Sequence, residues 1–135
     1  MVSRPIVRYL LNQPDIFVTM ASRTVSKAEK IINNHEDGQP LALDISDDSR
    51  LEELVTKSDV IVSLLPYAYH VKVAKLCIKH HKHLVTTSYV SDEMKALDEE
   101  AKQSQIIFQQ VFIIIDGYIV QNITGKKDFA LLPTK

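Results

Sequence analysis

Arg23 stands in the tetrapeptide Ala21-Ser22-Arg23-Thr24, directly after the apolar run Ile16 to Ala21. Its guanidinium is a planar fork of donors that matches a phosphate. In a βαβ nucleotide-binding unit, the group at the end of the second strand distinguishes the dinucleotides. An acid there holds the ribose 2′-hydroxyl of NAD, and a base accommodates the 2′-phosphate of NADP. On that placement Arg23 predicts NADP; a solvated surface arginine is the competing reading. Asp44, in Leu43-Asp44-Ile45, has two roles open to it: contact with the adenine or ribose end of a cofactor, or capping of the next helix. Leu65-Pro66 would give a backbone wall against the cofactor, or simply end a strand. Ser88 and Tyr89, in Thr86-Thr87-Ser88-Tyr89, put two hydroxyls after an apolar stretch, where they need polar partners; helix capping by Ser88 is the alternative.

Histidine chemistry is weaker. His80, His81 and His83 look like a metal cluster, but they fall where a helix should end, a position that favours cations. Zinc would need further ligands, and no metal is assigned. His70 opens a helix near the same edge and could titrate near neutral pH. No catalytic acid, base or nucleophile set can be placed from spacing.

Positioning these residues falls to regularly alternating elements. Val2, Ile6 and Leu10 recur at helical spacing, and Asn12-Gln13-Pro14-Asp15 ends that helix. Ile16 to Ala21 is a strand, followed by a helix through Ala28, Ile31 and Ile32. Residues 35–40 read as a polar loop and Leu41 to Ile45 as a short strand. Ser46 or Asp47 caps a helix with Leu51, Leu54 and Val55 inside. Asp59 to Leu65 is almost continuously apolar, as buried parallel strands are. A helix through Val73, Ala74 and Cys77, a strand from Leu84 to Thr87, a helix through Met94, Leu97 and Ala101, and a strand from Ile106 to Phe108 complete the series. This alternation predicts an α/β fold, a Rossmann-like parallel sheet with flanking helices. The candidate residues all fall at the carboxyl ends of its strands, where open α/β sheets bind ligands. Val111 to Val120, turning at Asp116-Gly117, predicts a C-terminal β-hairpin. Residues 122–135 read as a loose end. The expected division is a cofactor-binding unit over 1–110 and a divergent tail over 111–135.

Composition sets outer limits. The 135 residues carry a formal net charge of −1, which provides no field to drive nucleic-acid or anionic-membrane binding. The single cysteine, Cys77, precludes an internal disulfide and suits a reducing compartment. With no signal-like start and no long apolar run, the expectation is a cytoplasmic protein without a membrane partner. A homodimer is left open.

In this order and spacing, Ala-Ser-Arg-Thr, Leu-Asp-Ile-Ser-Asp-Asp-Ser, Asp-Val-Ile-Val-Ser-Leu-Leu-Pro-Tyr-Ala-Tyr-His and Leu-Val-Thr-Thr-Ser-Tyr-Val-Ser resemble the saccharopine reductase family from about Val2 to Ile107. That family comprises saccharopine dehydrogenase of the NADP, L-glutamate-forming type and the C-terminal half of aminoadipic semialdehyde synthase. The resemblance implies an oxidoreductase of lysine metabolism. In its reaction NADPH reduces the imine of 2-aminoadipate 6-semialdehyde and glutamate to saccharopine. It implies that Ala21, Ser22 and Arg23 meet the 2′-phosphate, that Asp44 and Ile45 line the adenine side, and that Leu65 packs along the cofactor. Thr87 and Ser88 would lie near the nicotinamide half, and Ser88 with Tyr89 would reach the substrate.

Two departures stand out. The family pattern opens with a strand and a Gly-x-Gly turn before the position of Val2. It continues after Ile107 into a Gly-Leu-Asp-Pro-Gly-like segment and a substrate domain that would supply the catalytic residues. Neither occurs here, so the expectation is a Rossmann domain lacking its first strand and glycine loop, with the hairpin as a candidate to fill the gap. A non-catalytic nucleotide-binding or interaction module, or an inactive truncated fragment, is the alternative.

Overall fold

The computed structural model describes residues 3–86, 92–103, 108–110 and 127–132. Among these residues the helices are α1 (Ser3–Leu11), α2 (Val25–Ile32), α3 (Asp48–Lys57), α4 (His70–Lys79) and α5 (Asp92–Gln103). The strands are β1 (Ile16–Ser22), β2 (Gly38–Ala42), β3 (Val60–Ser63), β4 (His83–Thr86), β5 (Phe108–Gln110) and β6 (Lys127–Leu132). They form one sheet in the order β2-β1-β6-β3-β4-β5, and every pairing is parallel. The Rossmann-like α/β expectation therefore holds, and all carboxyl ends share one edge.

The middle of that sheet is where expectation and structure part. The slot between β1 and β3, which the first strand fills in a 3-2-1-4-5-6 sheet, holds β6. Phe129 pairs with Val18 on one side and Val60 on the other. Residues 127–132 are thus a central strand and not part of a loose tail. Phe129, Ala130, Leu131 and Leu132 are all at most 3% exposed, as a strand covered on both faces requires. Phe129 and Leu131 pack with Val7, Val18, Met20 and Ile32 on the α1–α2 face. Ala130 and Leu132 pack with Leu51, Val55, Ile61 and Leu84 on the opposite face. Asp59 secures the entry: its amide donates to the Asp128 carbonyl at 2.8 Å, and its Oδ2 accepts from the Asp128 amide at 2.8 Å. At the exit, the Leu64 amide donates to the Leu132 carbonyl at 2.8 Å. The hairpin expected over Val111–Val120 lies outside the described residues.

One strand is shifted from its expected place. β2 runs over Gly38–Ala42 and not over Leu41 to Ile45. Among the described strands its partner lies on one side only, so Pro40, with no N–H to give, is tolerated at this edge. Glycine is needed at its start, because a Cβ on Gly38 would stand 2.9 Å from Ile32 Cγ2 and 3.0 Å from Leu11 Cδ2. β5 is described over Phe108–Gln110, which includes Phe108 of the expected strand; Ile106 and Ile107 lie outside the described residues. The helices match their apolar periodicity: Ala28, Ile31 and Ile32 on α2, Leu51, Leu54 and Val55 on α3, and Val73, Ala74 and Cys77 on α4 are buried.

Candidate cofactor site

β1 and β2 end side by side, and the Leu43 amide extends their ladder by donating to the Ser22 carbonyl at 3.1 Å. After Ser22 the chain turns at once. The Thr24 amide donates to Ser22 Oγ at 3.2 Å, and α2 begins at Val25. Thr24 is the N-cap residue but makes no side-chain capping bond. No side chain therefore caps the start of α2, where the helix dipole favours an anion, although the Lys27 amide already donates to the Thr24 carbonyl at 3.1 Å. Arg23 and, in the first turn of α2, Lys27 are both exposed. Among the described residues neither makes an ion pair. Two cations unpaired among the described residues, beside a helix start without a side-chain cap, form an electropositive corner.

That corner is one end of a cavity of about 400 Å³. Ala21, Ser22, Arg23, Asp44, Ile45 and Leu65 all line it. Six of the eight expected cofactor residues thus converge from three strand ends separated by up to 44 positions in sequence. Thr87 and Ser88, and with them Tyr89, lie outside the described residues; β4 itself ends at Thr86. The cavity also takes in Lys27, Ser46, Pro66, Tyr69 and Leu132. Leu132 reaches it because β6 occupies the central slot.

Asp44 does not cap a helix; Asp47 does, accepting from the Arg50 amide at 3.1 Å. Asp44 Oδ1 accepts instead from the Ser46 amide at 2.9 Å and the Ser46 hydroxyl at 2.7 Å. These bonds hold its carboxyl below its ordinary pKa, and the charges of Arg23 and Lys72 add to the effect. The carboxylate is therefore ionised throughout the neutral range and fixed at the cavity wall.

Behind the Leu65–Tyr69 wall, His70 is 1% exposed and shares a 3.0 Å hydrogen bond between its Nδ1 and Ser63 Oγ. Burial lowers its pKa. It is a neutral structural histidine and does not face the cavity lining. His80 Nε2 sits 2.8 Å from Glu52 Oε1, in an ion cluster with Lys79 on the protein surface. Among the described residues no three side chains form a metal-binding group, and no helix is long and apolar enough to cross a membrane.

Sequence reasoning missed Lys27 and Tyr69. A signal for Lys27 existed: it is the second cation within the first turn after Arg23. Nothing local marked Tyr69, which enters the cavity through the 3₁₀ turn Tyr67–Tyr69.

Comparison with known proteins agrees with this geometry. Residues 1–108 match the family described as saccharopine dehydrogenase NADP binding domain. A Schizosaccharomyces pombe saccharopine dehydrogenase [NADP(+), L-glutamate-forming] is 44% identical over 100 residues, 74% of this chain and 22% of that protein. An alpha-aminoadipic semialdehyde synthase of Arabidopsis thaliana is 42% identical over 92 residues, 68% of this chain and 9% of that protein. The apo structure of saccharopine dehydrogenase (L-Glu forming) from Saccharomyces cerevisiae superposes with a TM-score of 0.74 at 32% identity, covering 81% of this chain and 24% of that one. The chain therefore spans less than a quarter of the length of these relatives.

Proposed function

Because the chain belongs to the family of saccharopine dehydrogenase NADP-binding domains, we propose that its cavity holds the adenosine half of NADP(H). The 2′-phosphate is taken by the corner of Ser22, Arg23, Thr24 and Lys27. The observation that carries this reading is the pair of cations, unpaired among the described residues, beside the start of α2 that no side chain caps, at the end of β1. An acidic side chain there would suit NAD; two basic ones suit an extra phosphate. Asp44 and Ile45 form the adenine side, and Leu65 packs along the cofactor. Thr87 and Ser88 are assigned to the nicotinamide half, and Ser88 with Tyr89 to the substrate.

Bound NADPH would supply the hydride, and the protein's task is to hold and orient it. The whole reaction proposed is the one the family resemblance implies: reduction of the imine of 2-aminoadipate 6-semialdehyde and glutamate to saccharopine, in lysine metabolism. The compartment proposed is the cytoplasm, on the strength of the single buried cysteine. Titration of the full chain with NADPH and NADH tests the reading. It predicts NADPH binding in the micromolar range, about 8 kcal/mol, with NADH distinctly weaker. Equal affinity for the two nucleotides would overturn it.

A further inference from the structure

The loop Leu43 to Asp47 carries the adenine-side wall, yet it extends from β2, the edge strand of the sheet. An edge strand is itself held on one side only, so the loop needs a second anchor to stay in register with the cavity. The structure provides one from 27 residues away. Lys72, in the first turn of α4, donates from Nζ to the Ile45 carbonyl at 2.9 Å and pairs with Asp48 at the start of α3. Its side chain is 35% exposed, whereas that of Asp48 is 80% exposed. An ion pair so exposed contributes little. The partly buried, charge-assisted bond to the carbonyl is the stronger tie.

α4 starts directly after Pro66 and Tyr69, which form the opposite wall of the same cavity. Resting on the proposed nucleotide site, we infer that Lys72 is a positioning residue: it clips the Asp44–Ser46 wall to α4 and so fixes the width of the adenosine pocket without touching the ligand. Lys72 is absent from the cavity lining, so its effect passes through Ile45. Without the clip the wall samples arrangements in which Asp44 and Ile45 are displaced. A binding-competent fraction of about one fifth raises the apparent Kd about fivefold. The factor is the same for any nucleotide that uses the adenine side.

The full chain carrying Lys72→Met is titrated with NADPH and with NADH, and its melting temperature is measured. Expected are Kd values raised by the same factor for both nucleotides and a melting temperature close to that of the unchanged chain. The Ser46 amide, held by Asp44, should exchange with solvent faster. Lys72→Arg, which keeps a donor in reach of the carbonyl, should restore binding, and Asp48→Asn should leave it unchanged. A loss confined to NADPH would show that Lys72 acts only by its charge on the 2′-phosphate and would overturn the inference. So would unchanged affinity for both nucleotides in Lys72→Met. Either result leaves the nucleotide site standing, because NADPH still binds; failure of the unchanged chain to bind either nucleotide removes both proposals.

Discussion

Replacing Phe129 by alanine tests whether residues 127–132 form the middle of the sheet. Among the described residues Phe129 is the largest of the fully buried side chains and is 1% exposed, between β1 and β3 and against α1 and α2. Core Phe→Ala changes cost about 3–5 kcal/mol, as transfer loss plus the cavity left behind. A domain of this size is stable by about 5–15 kcal/mol in total, so the change removes a large share. At about 4 °C per kcal/mol, the midpoint of thermal unfolding should fall by roughly 15 °C. Urea titration monitored by far-UV circular dichroism gives the free energy directly. Lys75→Ala, on the exposed side of α4, is the control and should stay within about 0.5 kcal/mol. Were the tail loosely held, Phe129→Ala would behave like that control. A loss below about 1 kcal/mol would refute the central placement of β6.

Single contacts give three further expected outcomes. Gly38→Ala puts a Cβ 2.9 Å from the branched methyl of Ile32, and overpacking of this kind should cost about 1–3 kcal/mol in urea unfolding; a neutral result would mean that α2 shifts freely. Burial pushes the Cys77 thiol up to about 12, so the folded chain at pH 8 should resist thiol reagents and label only on unfolding; rapid native labelling would contradict its burial. His70 binds its proton less readily folded than unfolded, because burial lowers its pKa. The stability it provides is complete above about pH 6.5, the ordinary histidine value, and declines as pH falls below it. His70→Gln should flatten that decline between pH 7 and pH 5 in urea titrations, and equal slopes would count against the assignment.

The elements that could be read from the sequence had local causes. The run Ile16 to Ala21 and the run Asp59 to Leu65 are long and apolar enough to declare buried strands, and both form, at Ile16–Ser22 and Val60–Ser63. The convergence of Arg23, Asp44 and Leu65 on one cavity is a consequence of parallel strands ending at one edge. β6 was not legible, because its apolar stretch is only Phe129 to Leu132 and comes after Lys126, Lys127 and Asp128. Its strand character depends on the slot between β1 and β3, a property of distant residues that no local pattern records. The shift of β2 has a related cause. Gly38-Gln39-Pro40 reads as a turn, and only its place at the sheet edge makes it a strand. Lys72 gave no signal at all, since its partner lies 27 residues earlier.

The proposed site rests on the guanidinium of Arg23, and the most direct measurement is the NADPH-to-NADH affinity ratio with and without it. In the unchanged chain the ratio should favour NADPH. Arg23→Ala should weaken NADPH by about 2 kcal/mol, the loss of a charge-assisted phosphate contact, and leave NADH nearly as before, so that the ratio collapses. An Arg23→Ala chain that keeps its preference for NADPH would contradict the account.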